Sequence, residues 1–192
     1  MWGRTTGGVL VHTLNTPLGD GRLSRLLRAR GCRTLDDASR LLIALPYGRP
    51  VATGIDAVLA EGRGTCSGKH ALFVEICREA GVPARLLVGF FLMTEANTPG
   101  VGPVLAEAGL DGIWEAHCIA GLPEEMVDLT GLPGGAAVVL QAQIEIEPDA
   151  IADKPALHRV ALGRWAADSA IPLSVDTLWS IRERCIAALA RA

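Results

Sequence analysis

Residues 66–93 constrain the fold more than any other part of this 192-residue chain. Between 66 and 80, at 100° per residue, Glu75, Arg78 and Glu79 fall on one side of a helix. The opposite side carries Cys66, His70, Phe73, Ile76, Cys77 and Ala80. Gly81 and Pro83 stop that helix, and residues 86–93 follow as an unbroken apolar run, which reads as a central strand. Cys66 therefore sits on the buried face of a helix, in its first turn.

The rest of the chain is organised around this pair. Asp20 is expected to cap a helix reaching Arg30, with Gly31 as its stop. Thr34 is expected to cap a second, with Asp36 and Asp37 in its first turn and an end before Pro46. A short helix over 55–60 closes at Gly62 and Gly64. The Pro- and Gly-rich stretch 97–112 reads as a loop with one helical turn at 104–108. Strands are expected over 114–120, 126–129 and 138–146, with a further edge strand over 9–14. Two helices close the chain, one starting at Asp153 with Pro155 in its first turn, the other over 175–190 behind Ser174. Helices before and after a block of strands indicate an α+β fold. Without repeats or a long linker, residues 1–192 are expected to form a single domain.

Composition excludes several function classes. Hydrophobic residues at 49% and charged residues at 20% exclude disorder. Eighteen basic against 21 acidic residues leave no excess to neutralise phosphates, and aromatics at 4% offer no stacking platform. Nucleic acid is therefore not an expected partner. The longest stretch free of charged residues and histidine, 129–144, is broken by Pro133, Gly134 and Gly135 and falls short of the roughly 20 residues that span a bilayer. No membrane partner is expected. Five cysteines without dense spacing, and no secretory h-region, point to a reduced, cytoplasmic protein.

A cysteine in the first turn of a helix lies beside free backbone N–H groups and the positive end of the macrodipole, which favour the thiolate. Its own N–H is available as an oxyanion donor. A nucleophilic cysteine needs a base, and the base needs an orienting group. His117 falls on the strand 114–120 and Asp128 on the next, so a hairpin can set them side by side. A Cys66–His117–Asp128 triad follows. Glu115, two residues from His117 on the same strand face, is the reserve orienter. His70, one turn after Cys66, is a competing base, pocket lining or core. Lys69 is a thiolate or substrate contact or a solvated side chain. Tyr47 and Arg49 are possible oxyanion or substrate contacts. Cys77 and Cys185 read as core, Cys32 as incidental, and His12 and His158 as partnerless. Cys66, His70, His117 and Cys118 also suit a zinc site by ligand type, although adjacent strand residues face opposite ways. A catalytically inactive binding module is a third reading.

Three motifs carry a resemblance. Gly64-Thr65-Cys66-Ser67, Ala71-Leu72-Phe73-Val74 and the run from Cys77 through Gly81-Val82-Pro83-Ala84-Arg85 form the first. Glu115-Ala116-His117 and Val127-Asp128-Leu129-Thr130 form the second and third. In that order they resemble the transglutaminase-like superfamily over about residues 55–130. The resemblance implies a papain-like α+β core and thiol-based acyl transfer from an amide, on a peptide, protein or small amide substrate. Cys118-Ile119 stands where that superfamily usually has Ala-Trp, and 94–112 reads as an insertion that sets specificity. The Arg-Gly-Gly-x-Cys signature of the arylamine acetyltransferases is absent, so coenzyme A is not inferred. No cofactor and no metal are expected. With no Asp-rich calcium loop, hydrolysis is favoured over cross-linking. The oligomeric state is not legible.

Overall fold

The computed structural model describes residues 13–131 and 140–190. Its helices are α1 (Arg22–Arg28), α2 (Leu35–Ala44), α3 (Ala57–Glu61) and α4 (Cys66–Glu79) before the first strand β1 (Arg85–Met93). Helix α5 (Gly102–Glu107) separates β1 from β2 (Ile113–Gly121), and β3 (Met126–Val127) and β4 (Gln141–Ile146) follow. Helices α6 (Lys154–Asp168) and α7 (Val175–Leu189) end the described chain. The sheet order is β3-β2-β1-β4 with antiparallel neighbours throughout, an α+β arrangement with β1 central.

Strand alternation divides the core between the two sheet faces. Leu86, Val88 and Phe90 of β1 and Ala116, Cys118 and Ala120 of β2 pack with Leu72, Phe73 and Ile76 of α4. Phe91, Met93 and Ile113 instead join Leu105 of α5, Leu162 of α6 and Leu178 and Cys185 of α7. Phe73, Leu72 and Ile76 are wholly buried. Truncating Phe73 to alanine is therefore expected to cost about 3–5 kcal/mol.

Local signals account for most element ends. Thr34 and Asp37 form the capping box of α2, and Ser174 accepts from the Thr177 N–H at the start of α7. Gly31, Gly62 and Gly81 hold positive φ at three helix stops. Helix α1 departs from expectation. It starts at Arg22, and its free Leu23 and Ser24 N–H groups donate to the Glu79 carboxylate at 3.0 and 2.7 Å rather than to Asp20. Glu79 ends α4, so a residue 55 positions or more away supplies the cap. A Cβ on Gly21 would lie 2.0 Å from the Glu79 side chain, so glycine is required for that approach.

The strand expected over 126–129 shortens to two residues, and within that expected over 138–146, of which 138 and 139 lie outside the described residues, the strand runs Gln141–Ile146. Residues 13–15 form a 3-10 turn where an edge strand was expected, and the remainder of that expectation, with His12, lies outside the described residues. The segment 94–112 contributes α5, whose Leu105 packs in the cluster with α7. Among the described residues, no helix is long and apolar enough to cross a membrane.

Candidate active site

Cys66 is the first residue of α4 and is 4% exposed. The segment ahead of it is tied down by its own chain. Gly64 bridges Tyr47 in parallel register, with the Gly64 N–H on the Pro46 carbonyl and the Gly48 N–H on the Gly64 carbonyl. A Cβ on Gly64 would lie 2.8 Å from Lys69 Cγ, so this glycine makes room for the protein's own lysine rather than for a substrate. No side chain caps the first turn of α4. Its free N–H groups remain for the sulfur and for what the sulfur attacks.

Register sets His117 opposite Gly89 on β1 and the hairpin returns Asp128 beside it. The His117 Nε2–H donates to Asp128 Oδ2 at 2.8 Å, which leaves Nδ1 for the sulfur side. Asp128 Oδ1 accepts from the Thr130 N–H at 2.8 Å and from the Thr130 hydroxyl. Burial opposes both charges of this pair. The Asp128 hydrogen bond and the Cys66 charge nevertheless hold the His117 imidazolium up at about 10. Burial likewise works against Asp128, but His117 brings its carboxyl down to about 2.

The sulfur has further company. Lys154 Nζ stands 3.5 Å away, and His117 and the Cys118 thiol, whose S–H donates to Ser67 Oγ at 3.5 Å, act on its charge. The neighbouring Cys118 thiol, then Lys154, then His117 carry the Cys66 thiol well below its usual value despite burial. Cys118 moves the opposite way, well above the usual thiol range, because it neighbours that sulfur and is buried. Alternation along β2 had argued against His117 and Cys118 meeting at one atom. Cys118 lies on the α4 face of β2 with Ala116 and Ala120, where its S–H donates to Ser67 Oγ at 3.5 Å, and both it and His117 act on the Cys66 charge.

The remaining expected residues separate into two groups. His70 is wholly buried and is neither base nor pocket lining. Its Nε2 accepts the Leu129 N–H at 2.7 Å, so Nδ1 bears the proton and donates to the Cys66 carbonyl at 2.7 Å. Burial and the nearby His117 depress its pKa to about 4. With both ring nitrogens engaged, His70 is not available as a zinc ligand. Among the described residues no group of three or more His, Cys, Asp or Glu side chains is arranged to hold a metal ion.

Lys69 lies behind the helix rather than at the sulfur. It is wholly buried, and Nζ donates to the carbonyls of Leu45 at 2.7 Å, Thr130 at 3.0 Å and Ile43 at 3.5 Å. Glu115 does not orient His117. It is clamped by Arg182, with Nε on Oε2 at 2.7 Å and Nη2 on Oε1 at 2.6 Å. His158, far from partnerless, donates Nε2–H to the Trp114 carbonyl at 2.8 Å and packs edge-on to Trp179. Cys32, Cys77 and Cys185 are buried core, and burial pushes the Cys77 thiol up to about 12.

A cavity of about 260 Å³ opens on Cys66. Tyr47 and Arg49 line it, together with Lys154, Trp179 and Arg182 from α6 and α7. Lys154 and Ser67 are the site residues that motif reading missed. A faint signal for Lys154 exists, since a lysine opening a helix opposes the macrodipole and asks for a reason.

Residues 39–122 match the family model of the transglutaminase-like superfamily. The match contains Cys66 and His117 and ends before Asp128 and Lys154. No curated protein and no solved structure matches the chain.

Proposed function

Residues 39–122 belong to the transglutaminase-like superfamily, typically cysteine enzymes, and on that premise we propose that this chain is a thiol acyl-transfer enzyme acting on an amide or peptide bond. Cys66 is the nucleophile, His117 the general acid and base, and Asp128 the group that orients the imidazole. The observation that carries the reading is the His117–Asp128 hydrogen bond at 2.8 Å beside a sulfur whose pKa is depressed.

The Cys66 thiolate forms a bond to the carbonyl carbon and an electron pair moves onto the oxygen. The Cys66 N–H supports that oxyanion. The tetrahedral adduct collapses to a thioester as the amine leaves with a proton from His117. Water, deprotonated by His117, then attacks the thioester and releases the acid and the thiolate. Hydrolysis is preferred to cross-linking because the cavity that opens on Cys66 is small, about 260 Å³. In this reading α6 and α7, whose Lys154, His158, Trp179 and Arg182 line the cavity, take part in substrate selection.

A panel of activated esters and peptide amides, followed by mass spectrometry of the trapped chain, tests this. One acyl group on Cys66 is expected, absent in Cys66→Ala, with the circular dichroism of that variant unchanged. Acylation of another cysteine, or turnover by Cys66→Ala, would sink the mechanism.

A further inference from the structure

The reading above leaves the second oxyanion donor without a residue. Four basic side chains border the cavity, and three are committed. Arg182 is held by Glu115 and Glu183, Arg49 by Glu183 at 3.2 Å, and His158 by the Trp114 carbonyl. Lys154 differs. It is 6% exposed, and Nζ donates to Ser67 Oγ at 3.0 Å and stands 3.5 Å from Cys66 Sγ. An ammonium carries three N–H donors. The third has no acceptor among the described residues, and Lys154 lines the cavity. Leaving a donor of a buried cation unmatched is costly unless something else is to meet it.

We propose that Lys154 is a catalytic residue of the acyl-transfer reaction, its free N–H taking the carbonyl oxygen as Cys66 attacks. The inference rests on the proposed enzyme reading. A tetrahedral oxyanion lies on the carbon bonded to Sγ, about 3 Å from the sulfur, within reach of a donor already 3.5 Å from it. As the C–S bond forms, negative charge leaves the sulfur for the oxygen, and Lys154 faces both ends of that transfer. The first turns of α4 and α6 thus meet at one point, one supplying the nucleophile and a backbone N–H, the other a cation.

The test separates oxyanion support from thiolate support. Iodoacetamide alkylates a thiolate by displacement at carbon and forms no oxyanion. p-Nitrophenyl acetate acylates the same thiolate through an oxyanion, then expels p-nitrophenolate. Both rates scale with thiolate fraction, so that fraction cancels in their ratio at Cys66. In Lys154→Met the ratio of acylation to alkylation is expected to fall about 100-fold from wild type. In Lys154→Gln, which keeps a neutral N–H, a fall of about tenfold is expected. The Gln variant also serves if the Met variant does not fold. A ratio unchanged within threefold in a folded variant, with both rates lowered together, overturns the proposal and leaves Lys154 a thiolate counter-ion. A wild-type ratio no higher than that of N-acetylcysteine overturns the enzyme reading itself.

Discussion

Two buried lysines flank the first turn of α4, and they differ in what surrounds them. Lys69, behind the helix, meets carbonyl oxygens of Leu45, Thr130 and Ile43. Lys154, in front, meets a thiol pair and stands near Glu115. Burial lowers Lys69 to about 8, and nearby charges only partly offset it. Burial also works against Lys154, but Cys118, Cys66 and Glu115 more than offset it and its pKa rises. Neutral dipoles satisfy an ammonium's donors without matching its charge, whereas a thiolate does both. The rear lysine is thus a strut joining the end of α2 to the Asp128–Thr130 turn. The front one is an electrostatic partner of the sulfur.

The comparison can be broken by experiment. Of the two lysines, the larger expected effect on stability is that of Lys69→Met, which strips the donors from buried carbonyls and should cost about 3 kcal/mol in urea unfolding. Its Cys66 alkylation profile against pH should stay within a factor of two of wild type. Lys154→Met should reverse this, moving the alkylation profile to higher pH while costing about 1 kcal/mol or less. Equal stability losses in the two variants would erase the distinction.

Acid should attack the rear. His70 titrates near 4 in the fold against 6.5 for a free histidine, so the unfolded chain binds more protons between these values. Its contribution is fully present above about pH 6.5 and lost as pH falls toward 4. At pH 5 that loss is about 2 kcal/mol, from 1.36 kcal/mol per unit of pH. His70→Asn should show a flatter slope over the same range in urea titrations. Alkali should attack the front. His117 is raised to about 10, so its ion pair contributes below pH 6.5 and is lost as pH climbs through 10. His117→Ala should therefore abolish the alkylation advantage of Cys66 near pH 6. The smallest expected effect is Cys118→Ala: the Cys118 S–H donates to Ser67 Oγ rather than to Cys66, so its loss should raise the apparent alkylation pKa of Cys66 by about one unit or less. A downward movement would refute a thiolate-stabilising role for Cys118.

The legible parts of this site share a cause. The apolar face of α4, its Gly81 stop and the apolar run of β1 are local patterns, and each formed the element expected of it. The capping box at Thr34 and the cap at Ser174 are local too. Cys66, His117 and Asp128 could be ordered because one helix start and one hairpin carry them. Where the reading slipped, the partner was distant in sequence. Glu115 shares a strand face with His117, yet Arg182 on α7 holds it. His70 shares a helix face with Cys66, yet the Leu129 N–H fixes its tautomer. Asp20 sits where a cap belongs, yet Glu79 supplies it.

Sequence alone determined the helix–strand pair and the sulfur at its head, because periodicity, stops and the helix dipole act within a few residues. Only the tertiary structure decided what faces that sulfur. Charge and hydrogen-bond partners act through space over a few ångströms, so Lys154, 88 positions away, adjoins Cys66 as no spacing rule could indicate.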